Sequence, residues 1–215
     1  PAPILLRVGA SKTIGEYVIA PRVERFLRSQ PEASFSLLVD NTQVLLRALE
    51  AGQLDFALVE GFFEKRDYDF RLFRREQYLG VCAPGFLSPR ERPRSFQDLF
   101  SNTLITREPG SGTREVLERA LSEEGWGIGD FANVVEVSNM GTIKMMAEGG
   151  GGIAFLYEAA VRGELERGSL VRISLEGFPR YHDFTFIWRK NSLFADQYME
   201  LLDEMTGNGA GPGQM

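Results

Sequence analysis

Short apolar runs alternate with segments of helical period from Ile4 to Gly61, and the same order returns further along the chain. ILLRVGA (Ile4 to Ala10), FSLLVD (Phe35 to Asp40) and LDFALVEG (Leu54 to Gly61) read as strands. Ile14 to Arg28 and Gln43 to Ala51 read as the helices between them. A β-α-β-α-β series implies a parallel sheet with helices on its faces. Pro21 should end or bend the first helix, and Gly52 should close the second. The second series comprises strand Thr103 to Arg107, helix Thr113 to Glu124, strand Val134 to Val137, helix Met140 to Glu148 and strand Gly152 to Leu156. Between the two, Asp69 to Pro84 reads as two strands. SPRERPRS (Ser88 to Ser95) follows, and then a short helix over Phe96 to Phe100. The remainder is a helix near Tyr157 to Arg162, strands near Leu170 to Ile173 and Phe184 to Arg189, and a helix over Leu193 to Met205. It is the right size to complete the first series. The expected organisation is an α/β chain with lobe I from residues 1–84 plus 159–206 and lobe II from residues 85–158. The crossovers lie near 84 and 158, and GNGAGPGQM (207–215) is expected to be a disordered tail.

Composition removes several function classes. A net charge of -6 over 215 residues leaves no excess of Lys and Arg to hold a polyanion. The single cysteine, Cys82 in the apolar run LGVCAP, excludes an internal disulfide and a cysteine-rich zinc site, and reads as a core residue. No apolar run approaches about 18 residues and no secretory leader is seen, so cytoplasm is the default compartment. The single histidine, His182, stands beside Asp183 on a predicted strand, where neighbours point to opposite faces and cannot form a relay. No pattern for a metal or cofactor is present. A carboxylate- or lysine-based enzyme stays open at this point.

Three strand-to-helix junctions share one chemistry: GASKTIG (Gly9 to Gly15), PGSGTRE (Pro109 to Glu115) and EVSNMGT (Glu136 to Thr142). In open parallel sheets, ligands bind beyond the carboxyl ends of the strands, where such turns collect. The helix starts add unpaired N–H groups and the positive end of a dipole. Ser11, Thr13, Ser111, Thr113, Ser138, Asn139 and Thr142 offer hydroxyl or amide groups, with Lys12, Arg107 and Arg114 in or beside the turns. Any one of these turns is explained by capping alone, since Ser, Thr and Asn are preferred N-caps. Three of them with adjacent cations favour a site for a small anion. Glu60, at the end of its strand, would face the same place and needs a ligand donor or an arginine as partner. REPGSGTRE (Arg107 to Glu115) is not a nucleotide loop: no Lys follows a glycine, and Glu115 stands where the dinucleotide pattern needs its third glycine. In MAEGGGGIAFL (Met146 to Leu156) Gly149 can end the helix in the left-handed conformation, and close approach to a ligand is the second reading.

LRVGASKTIGEYVIAPRVERFLRSQP, LDFALVEG, REPGSGTRE and GGGGIAFL, in this order and spacing, closely resemble the effector-binding domain of LysR-type transcriptional regulators, over Leu5 to about Met205. The resemblance implies two Rossmann-like lobes similar to type II periplasmic binding proteins, with a small effector in the cleft and the crossovers as hinge. It also implies a site made of Ser11 and Thr13, of Arg107, Ser111 and Thr113, and of Ser138 and Asn139. Lys12, Glu60, Gly112 and Phe155 complete the candidate set. Further expectations are no catalytic activity, no cofactor, assembly as a dimer or tetramer, and contact with DNA only through an N-terminal winged helix-turn-helix that this chain lacks. The alternatives are a solute-binding protein of a transport system, or an enzyme such as a dehydratase on a similar fold.

Overall fold

The first strand pairs with its neighbours in the way the repeated alternation requires. A computed structural model describes residues 5–88 and 93–206; the predicted tail, and part of the Pro- and Arg-rich stretch, fall outside it. The chain divides into two compact units, one running up to Arg74 and resuming at Phe184, the other spanning Arg75 to Asp183.

In the first unit β1 (Leu5–Ser11) is parallel to β2 (Ser34–Asp40), with Ser11 opposite Asp40, and parallel to β3 (Phe56–Val59) on its other side. Strand β3 is buried along its whole length between β1 and an antiparallel partner, β9 (Arg180–Arg189), which explains its unbroken apolar sequence. Helices α1 (Lys12–Tyr17), α2 (Ala20–Ser29) and α3 (Thr42–Glu50) fill the connections, and α7 (Ala195–Thr206) packs on α2. Pro21 sits in the first turn of α2, where its missing N–H costs nothing, so the predicted single helix is two. Gly15 is required by packing: a Cβ there would come within 2.6 Å of the Val39 side chain on β2. Ile14, Ile19, Phe26, Leu45, Leu49, Phe56 and Phe186 form the buried core around this sheet. At about 25 cal/mol per Å² of apolar surface, each such side chain contributes roughly 1.5–3 kcal/mol.

In the second unit β4 (Tyr68–Cys82) pairs antiparallel with β7 (Ala154–Tyr157) and with β8 (Val171–Arg172). β5 (Thr103–Thr106) and β6 (Asn133–Glu136) are parallel, and Leu104 bridges to Ile153. Helices α4 (Gly112–Glu123), α5 (Met140–Glu148) and α6 (Glu158–Arg167) complete the unit. The short predicted helix is a single 3-10 turn, Phe96–Leu99, fixed by Asp98, which accepts from the Ser95 and Arg94 N–H groups. Phe96, Phe155 and Phe178 pack as a triad with ring centroids 5.4–5.8 Å apart.

Some expectations are corrected. The span read as two strands holds one, β4 (Tyr68–Cys82), and Gly80 within it serves packing: a Cβ there would meet the Phe155 ring at 3.0 Å. The chain passes from one unit to the other within β4 and within β9, at Arg74–Arg75 and Asp183–Phe184. Helix α5 ends with Gly149 at φ -76, and Gly150, at φ 77, takes the left-handed turn. Gly152 then passes so close to β5 that a Cβ would lie 2.4 Å from the Thr103 carbonyl oxygen.

Candidate functional site

Parallel pairing brings the carboxyl ends of β1, β2 and β3 to one end of the first unit's sheet. The residues there are mostly buried and polar. Ser11 Oγ donates to Glu60 Oε2 at 3.1 Å, so the structure brings together two residues 49 positions apart. Ser11 is the N-cap of α1 but makes no capping hydrogen bond. Thr13 is fully buried, and its Oγ1 has no hydrogen-bond partner. Lys12 is half-buried beside it.

Thr42 is a residue that the sequence pattern did not single out. It opens α3, is buried, and its Oγ1 also lacks a partner. The helix does not need it as a cap, because Asn41 Oδ1 already accepts from the Val44 N–H at 3.0 Å. An Asn-Thr pair ahead of a helix is read from sequence as one cap. Only the structure shows that the first residue caps and the second is left over.

In the second unit the carboxyl ends of β5 and β6 lie side by side, with Thr106 opposite Glu136. Arg107 is among the largest fully buried side chains of the protein. Its Nε and Nη2 donate to the two carboxylate oxygens of Glu108 at 2.8 and 2.9 Å, while Nη1 is buried without a partner. Ser111 is the N-cap of α4 but makes no capping bond, and its Oγ is buried and unpartnered. Gly112 and Thr113 form the first turn and are buried, and Tyr78 on β4 donates its hydroxyl to the Thr113 carbonyl at 2.8 Å. Arg114 braces the turn. It donates to the Arg107 carbonyl at 3.1 Å and to the carboxylates of Glu118 and Glu136 at 2.7 and 2.8 Å. Burial opposes its charge, but the bonds to Glu118 and Glu136 outweigh that and hold the guanidinium above its ordinary value. Its charge is therefore used within the fold.

The third turn differs. Asn139 Oδ1 accepts from the Thr142 N–H at 2.9 Å and from its hydroxyl at 3.2 Å, a complete N-cap for α5. Ser138 and Asn139 are exposed. Phe155 is held in the aromatic triad by Phe96 and Phe178. Asp183 pairs with Arg75 at 3.0 Å, and the His182 ring lies 6.3 Å from that of Tyr157.

A buried polar atom without a partner costs about 1–3 kcal/mol, so such atoms are rare unless a role retains them. Here Thr13 Oγ1, Thr42 Oγ1, Arg107 Nη1 and Ser111 Oγ all lie at strand-to-helix turns. Hydroxyls can donate or accept, and the guanidinium can only donate. The second unit's turn therefore offers donors to an oxyanion, helped by the N-terminus of the twelve-residue helix α4. The first unit's turn adds a buried carboxylate, Glu60. Among the described residues no cluster of His, Cys, Asp and Glu could hold a metal ion. No described helix is long and apolar enough to cross a membrane.

The family model described as the LysR substrate binding domain matches residues 5–206. A curated relative named as a phosphonates import ATP-binding protein, from Anaeromyxobacter dehalogenans, is 32% identical over 182 residues, 82% of this chain and 36% of that protein. The transcriptional regulator CysL of Bacillus subtilis is 27% identical over 184 residues, 85% of this chain and 60% of its own length. The chain thus spans less than two thirds of either. Among solved structures, the regulatory domain of CcmR from Synechocystis, in complex with 2-PG, superposes with a TM-score of 0.81 at 21% identity, covering 95% of this chain and 98% of that one. This establishes the two-lobed α/β fold similar to periplasmic binding proteins.

Proposed function

We propose that this chain, which belongs to the LysR substrate binding domain family, is the effector-binding domain of a LysR-type transcriptional regulator. The family is one of binding domains, and the chain is not an enzyme. In this reading it senses a small anionic molecule, for which each unit offers a turn of its own: Ser11, Thr13, Thr42 and Glu60 in one, Arg107, Ser111 and the start of α4 in the other. The observation that carries it is the set of buried polar atoms without partners at these turns. A ligand that satisfies them stabilises whichever arrangement it fits best, and differential affinity is what a signal requires. Relay through a dimer or tetramer to DNA-binding domains, in the cytoplasm, completes the reading. The ligand that the CcmR structure names, 2-PG, is a first compound to try.

A thermal-shift panel of inorganic anions, carboxylates, sugar phosphates and amino acids, run on the chain and on Thr13→Ala and Ser111→Ala, tests it. At 100 times its Kd a ligand stabilises by about 2.7 kcal/mol, a shift of several degrees. The shift produced by stabilising anions should shrink in both variants. Equal shifts in all three proteins would overturn the site.

The relative named for phosphonate import supports a second reading, a solute-recognising domain of a transport system. The full-length gene decides: a helix-turn-helix of about 60 residues ahead of this chain supports regulation, and an ATP-binding domain or a signal peptide supports transport.

A further inference from the structure

Glu108 occupies one side of the Arg107 guanidinium. The fork is bidentate, Nε to Oε2 at 2.8 Å and Nη2 to Oε1 at 2.9 Å, with the arginine side chain 1% exposed and the carboxylate 19% exposed. This pairing balances the guanidinium's charge yet leaves Nη1 buried and unpartnered, with Ser111 Oγ in the same condition nearby in the turn. What remains for a ligand is a set of donors: Nη1, the Ser111 hydroxyl and the first N–H groups of α4. Their net positive charge is only the fractional one of the helix terminus, about half an elementary charge, and a full negative charge stands at their edge.

We propose that Glu108 sets the charge of the acidic group this turn accepts: it admits a singly charged oxyanion and disfavours a doubly charged one of the same shape. The proposal rests on the assignment of Arg107 and Ser111 to effector binding. A monoanion is matched by the helix terminus and the neutral donors. The second charge of a dianion finds no counter-charge and meets the Glu108 carboxylate, in surroundings that screen less than water. A residue that only oriented Arg107 would act through shape. Gln keeps that shape, and its Oε1 still accepts one N–H, so Glu108→Gln separates charge from orientation.

The test titrates the 215-residue chain with sodium sulfate and with sodium methanesulfonate by calorimetry, at neutral pH and constant ionic strength. Both tetrahedral ions can turn three sulfur-bound oxygens to the turn; sulfate carries two charges and a fourth oxygen where methanesulfonate, with one charge, carries a methyl group. The wild-type chain should bind methanesulfonate at least as tightly as sulfate, and Glu108→Gln should raise the affinity for sulfate at least about tenfold relative to methanesulfonate. A wild-type preference for sulfate, or a smaller change in the ratio, overturns the proposal. Ser111→Ala tells its failure from that of the site. If Ser111→Ala weakens both ions while Glu108→Gln leaves the ratio in place, the site stands and the charge role falls. If Ser111→Ala changes neither, or neither ion binds, the site assignment falls and the proposal with it.

Discussion

Asn139 and Ser111 both stand at the N-terminus of a helix in the second unit, and they do opposite things. Asn139 spends its side chain on the helix, accepting from Thr142, while Ser111 makes no capping bond and keeps a buried hydroxyl unpartnered. The first unit repeats the contrast in adjacent residues: Asn41 caps α3, and Thr42 is left over. Capping thus falls to the asparagines, and in the proposed reading recognition falls to the hydroxyls left without partners. An amide oxygen suits the first task because it accepts from the helix N–H groups. A hydroxyl suits the second because it can donate to an anion.

Arg107 should separate the two groups most sharply. Arg107→Ala removes a buried charged donor, so affinity for the best ligand of the thermal-shift panel should fall by about 1.5–3 kcal/mol, ten- to a hundredfold or more. Calorimetry reads this, and unchanged affinity would remove Arg107 from the recognition group.

The capping pair comes next. Asn41→Ala and Asn139→Ala should each lower unfolding free energy by about 1 kcal/mol in denaturant titrations, with ligand affinity changed little. Ser111→Ala and Thr42→Val should do the reverse. Each removes an unpartnered buried group, so stability without ligand holds or rises, while affinity drops by roughly 1 kcal/mol for the lost hydrogen bond. A stability loss in Ser111→Ala equal to that in Asn139→Ala would show that Ser111 is a cap after all, and the contrast would fail.

The smallest effect concerns a charge that is fully answered. Glu164, on α6, pairs with Lys144 at 3.0 Å and Arg167 at 2.8 Å. Burial alone would raise its carboxyl, but the bonds to Lys144 and Arg167 prevail and hold it below the usual carboxylate range. A depressed folded value means that its contribution is present above the unfolded carboxylate pKa and is lost as pH falls through the folded one. Melting temperature followed through the acid range should show this loss in wild type, and Glu164→Gln should flatten that part of the curve. An identical acid profile in the variant would show that Glu164 contributes nothing.

Much of this was legible in the sequence, and the parts that were not have physical reasons. The β-α-β series, the break at Pro21 and the whole of α5 follow from periodicity and from one residue's missing N–H. Strand β4 reads as two in the sequence, and the structure keeps it continuous, with Gly80 making room for Phe155. At the site, the turns and their hydroxyls were visible, but their division of labour was not, since Ser, Thr and Asn are interchangeable caps on paper. Arg114 looked like an anion contact because its partner Glu136 lies 22 residues away. Glu108 passed unnoticed because an adjacent acid and base usually point apart.

Gly15 carries one more consequence, for how such a domain can change. The Val39 side chain leaves no room for even a methyl group at position 15, and a substitution there must displace either that side chain or α1 itself. The residues that start this helix, Ser11, Lys12 and Thr13, carry no such restriction from that contact. A deep mutational scan should therefore find position 15 nearly invariant, while small exchanges at Ser11 and Thr13 change binding more than folding. New specificities can then arise on an unchanged scaffold, the frozen position keeping the helix in place while the ones before it exchange within the space they have.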